Sequence, residues 1–110
     1  MTLPDRDRAR VDQTKITVYL LSQSHPDGRT KAEFFMRFGF RIDKWQELAE
    51  ALRAVGTSNP VVAIVESSHG VRYTVDGLMR APDGREPKVR TVWIVEPRGS
   101  GPRLITAHPL

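Results

Sequence analysis

Apolar positions recur along the chain with two different periods, and the change falls near Pro60. Before it, Thr30 and Glu33 form a T-x-x-E capping box, in which the threonine oxygen accepts from a free helical N–H and the glutamate reaches back to the cap. The helix predicted from there carries Ala32, Phe35 and Met36 at i, i+3, i+4, with Phe34 and Phe38 broadening the stripe and Gly39 as its left-handed stop. A second start at Asp43 leads into Trp45, Leu48, Ala49, Leu52 and Val55 at helical spacing, with Gly56 as the expected terminator. Neither apolar face can remain in water, so the two helices are expected to pack together and onto a sheet.

After Pro60 the period becomes that of β-branched runs: 61–66 (VVAIVE), 71–77 (VRYTVDG), 88–96 (KVRTVWIVE) and 103–108 (RLITAH). The SSHG and PRGSGP connections are short enough to close hairpins, and 80–87 turns around Asp83-Gly84, so a mostly antiparallel meander follows. The third run is apolar at successive positions, Val89, Trp93 and Val95 against Val92 and Ile94, which predicts a central strand. The fold class is therefore α+β, with two N-terminal helices on a four-stranded, mostly antiparallel sheet.

Ahead of the helices, 15–21 (KITVYLL) is β-branched and aromatic enough to suggest a short strand, with a short helix as the alternative. The SQSHPDGR stretch that follows carries Pro26 and an Asp27-Gly28 turn pair, which places His25 in a loop. Residues 1–14 alternate basic and acidic side chains without an apolar period, and read as a flexible lead outside the core. The domain is then 15–110, a single unit, since 110 residues leave room for one core.

Composition narrows the chemistry. The chain has no cysteine, which removes disulfides, thiolate zinc sites and cysteine nucleophiles and is compatible with a cytoplasmic location. No run approaches the roughly 20 apolar residues that span a bilayer. Net charge is +4, and within 29–41 the basic residues Arg29, Lys31, Arg37 and Arg41 meet only Glu33. An anionic partner such as nucleic acid is favoured, with an ordinary solvated basic surface as the alternative.

The three histidines are far apart in the sequence, and no H-x-x-x-H, D-x-D or C-x-x-C pair is present, so neither a metal site nor a cofactor is expected. Phosphate-loop and dinucleotide fingerprints are missing, and no serine lies in a G-x-S-x-G elbow. The remaining groups suit phosphodiester cleavage in RNA, where the 2′-hydroxyl is the nucleophile and the protein need supply only a base, an acid and positive charge. His25 is the candidate acid/base, and Lys31, in the first turn of the first helix, is a candidate phosphate ligand. Arg72 and Arg90, on strands, are candidate phosphate clamps, or else salt-bridge partners of Asp76 and Glu96. Thr91 is a common strand filler, whereas Thr106 and His108 share one strand face because they are two apart. His69, in SSHG, reads as a turn residue.

The run His25-Pro26-Asp27-Gly28-Arg29-Thr30-Lys31-Ala32, with Phe34-Phe35, Phe38-Gly39-Phe40, Val89-Arg90-Thr91-Val92-Trp93 and Arg103-Leu104-Ile105-Thr106-Ala107-His108-Pro109, resembles an uncharacterised bacterial domain-of-unknown-function family. That family in turn resembles the ribonuclease toxin superfold of barnase, EndoU, colicin nucleases and RelE-like toxins, in which helices precede a four-stranded antiparallel sheet. The resemblance implies a metal-independent endoribonuclease with His25, Lys31, Arg90, Thr91 and Thr106 in the active site; Arg72, Arg29 and His108 are the candidates for substrate binding among the remaining basic residues. It also implies RNA and a small cognate antitoxin or immunity protein as partners; His108 stands where many such toxins carry tyrosine. The alternative is a non-catalytic binding module: an antitoxin, immunity protein or RNA-associated accessory domain.

Overall fold

A computed structural model describes residues 1–110, and in it the change of period at Pro60 separates helices from sheet. Helix α1 spans Arg29–Arg37 and α2 spans Trp45–Ser58, joined through a 3-10 turn at Ile42–Lys44. Strands β1 (Val61–Ser67), β2 (Gly70–Leu78), β3 (Lys88–Val95) and β4 (Arg103–Pro109) pair in the order β1-β2-β3-β4, all antiparallel. β3 is thus an inner strand, flanked on both sides. Its ladder with β4 carries an irregularity at Val92/Trp93, beyond which Thr106 and His108 lie opposite Val92 and Arg90.

Alternation sorts β3 into two faces. Val89, Thr91 and Trp93 are buried under the helices, whereas Arg90 and Val92 point to the opposite side and are half-exposed. The core joins Trp93, Val75, Val89, Leu104 and Ala107 from the sheet to Phe35, Phe40, Leu48, Leu52 and Val55 from the helical side.

Several expectations are corrected. The α-helices occupy the middle of the chain, behind residues 1–28 that also contribute to the core. Segment Lys15–Leu20 is not a strand but a π-helical turn, because Ile16 and Leu20 lie on one side and are both buried. Residues 1–14 do not lie outside the core: Leu3 and Ala9 are buried in it. Backbone bonds hold this segment, with Met1 O accepting from Val61 N, and Arg10 accepting from Leu104 N while donating to Pro102 O. Arg53 adds side-chain bonds to the carbonyls of Ala9 and Asp7. Two isolated apolar residues among charges show no period, so a lead anchored mainly through its backbone carries no sequence signal.

Helix α1 begins before the expected box, with Gly28 at its cap and Thr30 already inside the first turn. Gly39 ends it in the left-handed region, φ 100°. Gly56 does not terminate α2 but lies within it, where a β-carbon would come within 2.4 Å of the Trp93 ring. Its missing side chain lets the indole lie against the helix backbone.

Candidate active site

The π-helical turn flanks β4, and Tyr19 reaches across that edge to bring its hydroxyl 3.4 Å from Thr106 Oγ1. The ammonium groups of Lys15 and Lys31 lie 5.1 and 5.3 Å from the Tyr19 ring centroid. His25 meets the same ring edge-on at 5.0 Å. Lys31 also lines, with Thr30, His108 and Pro109, a surface depression of about 410 Å³, while Tyr19 and His25 line a separate one with Thr14, Lys15 and Val18. Three elements and one loop thus place two ammoniums, a phenol, a threonine hydroxyl and an imidazole in one neighbourhood.

Gly28 locks the loop to the turn. A β-carbon there would fall 2.1 Å from the Tyr19 carbonyl oxygen, so only glycine allows the His25 loop to close on Tyr19.

The two nearby histidines are in different states of engagement. His25 Nδ1 accepts from the backbone N–H groups of Asp27, at 3.0 Å, and Gly28, at 3.1 Å. A ring nitrogen that accepts carries no proton, so the proton of His25 resides on Nε2 and the ring serves as a cap for the loop that leads into α1. His108 Nδ1 lies 3.1 Å from the Pro109 carbonyl oxygen, which can only accept. Nδ1 therefore donates, and the neutral ring presents the lone pair of Nε2. Of the two rings, His25 is thus engaged at Nδ1 by the backbone of its own loop, and His108 leaves Nε2 open.

Ionisation of Tyr19 is made easier than that of a free phenol. Burial works against it, but the hydrogen bond with Thr106 and the nearby Lys31 and Lys15 ammoniums outweigh that, and the pKa is lowered from the ordinary value.

Arg90 stands opposite His108 across the ladder, yet its guanidinium is held bidentately by Asp76 at 2.8 and 2.9 Å. The salt-bridge alternative is thus the one realised at Arg90; Glu96 pairs instead with Arg103. Thr91 is corrected from the active site to the core: it is fully buried, donating to Val75 O and accepting from Trp93 Nε1. Arg72 is exposed on β2, opposite Ile94 and four positions along the strand from Asp76, apart from the Tyr19 cluster. Arg29 is exposed at the first position of α1, two residues before Lys31. His69 is a turn residue, as expected, its backbone N–H bonded to Ser67 Oγ. No three His, Cys, Asp or Glu side chains come together as a metal-binding group.

The Asp76 carboxyl is held below its ordinary range, first by the hydrogen bonds of Arg90, against the opposing effect of burial, and further by the charges of Arg90, Lys88 and His108. With the folded value below the unfolded one, this stabilisation is present above the unfolded value and is lost as pH falls through the folded value. Asp76→Asn is therefore expected to flatten the acid side of the thermal-midpoint curve below about pH 4. An acid limb as steep as that of the wild type would show that the pair contributes nothing there.

Tyr19 and Lys15 were not singled out from the sequence. Read as a helix, Lys15 and Tyr19 are four apart and share a face, next to a basic loop; read as a strand, that relation disappears.

The profile of a family described as Domain of unknown function (DUF6883) matches residues 2–110. No curated protein matches the chain. Among solved structures, a chain from a contact-dependent growth inhibition toxin–immunity protein complex of Klebsiella pneumoniae 342 is similar, with a TM-score of 0.71 and 18% identity. The match covers 94% of this chain and 95% of that one. At that identity the likeness is one of fold. No helix is long and apolar enough to cross a membrane.

Proposed function

The chain belongs to the DUF6883 family, so its chemistry has to come from its own side chains, and we propose that it is a metal-independent, RNA-cleaving domain of toxin type. The observation that carries this reading is the gathering of Lys15, Lys31 and Thr106 around Tyr19, with His108 across the depression that Lys31 lines. Such a set supplies what transesterification by an RNA 2′-hydroxyl requires: a base, cationic groups for the phosphorane charge, and hydroxyls that fix the phosphate. His108 Nε2 takes the 2′-hydroxyl proton. Lys31 holds the scissile phosphate, and Thr106 orients it. His25 positions the loop that opens α1 and offers its Nε2–H to a phosphoryl oxygen. The products are a 2′,3′-cyclic phosphate and a 5′-hydroxyl end.

The likeness in fold to a chain of a toxin–immunity complex supports a toxin-type setting, in which the site of action is the cytoplasm and a small cognate antitoxin or immunity protein covers the basic cluster. The purified protein is expected to fragment total RNA or tRNA in EDTA, with cyclic phosphate at the new 3′ ends. RNA left intact at stoichiometric dose would sink the reading.

A second reading, a non-catalytic binding module of antitoxin or immunity type, draws on β1. This edge strand leaves Val62, Ile64 and Val65 about half or more exposed, at 53%, 49% and 60%, as an open template for another chain. Harmless expression of the wild-type chain would favour the module. Toxicity that disappears in His108→Ala, with the fold retained, favours the enzyme.

A further inference from the structure

Transesterification of RNA needs a proton delivered to the departing 5′-oxygen as well as one removed from the 2′-hydroxyl. The cluster has one histidine candidate for the second task, His108, and no evident donor for the first. His25 Nδ1 accepts from two backbone N–H groups, and with that bonding the surrender of the Nε2 proton would leave an imidazolate. The Lys31 ammonium is already engaged, donating to the Asp27 carbonyl. The Asp76 carboxylate, across the ladder from His108, is committed to Arg90.

Tyr19 remains. Its hydroxyl meets Thr106 of β4, with Lys31 of α1 and Lys15 of its own turn over the ring. Two ammoniums over the ring and His25 against its edge leave it poorly placed as a platform on which a nucleobase stacks. Those same neighbours stabilise a negative charge on the oxygen once the proton has left. A phenol so placed is neutral before transfer and well compensated afterwards.

We infer that Tyr19 is the general acid of the RNA-cleaving reaction, donating its hydroxyl proton to the 5′-oxygen as the phosphorus–oxygen bond breaks. This rests on the ribonuclease reading above. In the full step the 2′-oxygen bonds to phosphorus and its proton passes to His108 Nε2. The bond from phosphorus to the 5′-oxygen breaks, and that oxygen takes the Tyr19 proton. Solvent then carries a proton from His108 back to the Tyr19 phenolate, and the enzyme is restored with no other reactant consumed. The lowered pKa of the phenol is in keeping with this role.

The test compares wild type and Tyr19→Phe on two RNAs, one ordinary and one in which the scissile 5′-oxygen is replaced by sulfur. A thiolate leaves without protonation, so loss of a general acid is felt only on the first. Tyr19→Phe is expected to slow single-turnover cleavage of ordinary RNA by about 10²–10⁴-fold, and that of the sulfur substrate by less than about tenfold. Equal slowing on both would assign Tyr19 a positioning role and overturn the inference while leaving the ribonuclease reading intact. Absence of cleavage of either RNA by the wild type would overturn both. Because the chain has two tyrosines, the near-ultraviolet tyrosinate titration of the wild type minus that of Tyr19→Phe isolates this phenol. Its midpoint is expected below the ordinary value of 10.0, and a midpoint at or above it would also count against the inference.

Discussion

Trp93→Ala is expected to cost about 3–5 kcal/mol of folding stability, the range for removing a fully buried large aromatic side chain. Domains of this size are stable by roughly 5–15 kcal/mol, so the variant should unfold at much lower denaturant or be largely unfolded. The indole is the largest fully buried side chain and does more than fill volume. Its Nε1 donates to Thr91 Oγ1 at 2.8 Å, and Thr91 Oγ1 donates in turn to Val75 O at 2.7 Å, so one chain of bonds joins β3 to β2 inside the core. Its six-membered ring lies against Gly56 and so couples the sheet to α2. Two milder variants separate these contributions. Thr91→Val leaves the indole N–H without its acceptor, for about 1–3 kcal/mol. Gly56→Ala forces a β-carbon into the ring, with a cost of about 1–3 kcal/mol for overpacking. Urea unfolding of the three variants is the measurement. A loss below about 1 kcal/mol in Trp93→Ala would mean that the core relaxes around the gap and that the coupling described here is not what holds helix and sheet together.

This knot also explains what the sequence could and could not reveal. The strands are legible because alternation and β-branching are local properties, and the observed β1 to β4 begin and end within about two residues of the runs read from the pattern. Helix α2 is legible for the same reason. Gly56 misleads because a glycine late in a helix is usually a stop, whereas here it answers to an indole that is 37 residues away in the chain. Thr91 misleads because alternation alone does not say which face is covered; the register with Val75 decides it. Thr30 and Glu33 spell a cap in sequence, but the His25 ring already occupies the loop ahead of the helix and moves its start back to Arg29.

At the candidate site, Lys31, Thr106 and His108 were readable as chemistry, but their engagement was not. A histidine in a loop and a histidine near a chain end look alike until their ring nitrogens find partners. Tyr19 was hidden by the β propensity of its own segment, which Ile16 and Leu20 override by turning one side into the core.

Lys31→Ala is expected to lower RNA cleavage, measured as kcat/KM in EDTA, by about 10²–10³-fold, the usual effect of removing one preorganised donor to a developing charge. Folding stability should change by no more than about 0.5 kcal/mol, since the side chain is only half-buried and its one hydrogen bond is to the Asp27 carbonyl at 3.3 Å. That split is the informative part. A lysine that merely tethers the His25 loop would affect stability at least as much as activity. Lys31→Arg retains the charge but spreads it over a planar fork, and is expected to recover part of the rate while altering the approach to Tyr19. Lys15→Ala should have a smaller effect than Lys31→Ala, because Lys15 acts only on the phenol, whereas Lys31 also lines the depression shared with His108. If Lys31→Ala cleaves RNA within about tenfold of the wild-type rate, the phosphate is held elsewhere, and the cluster around Tyr19 is not where the reaction takes place.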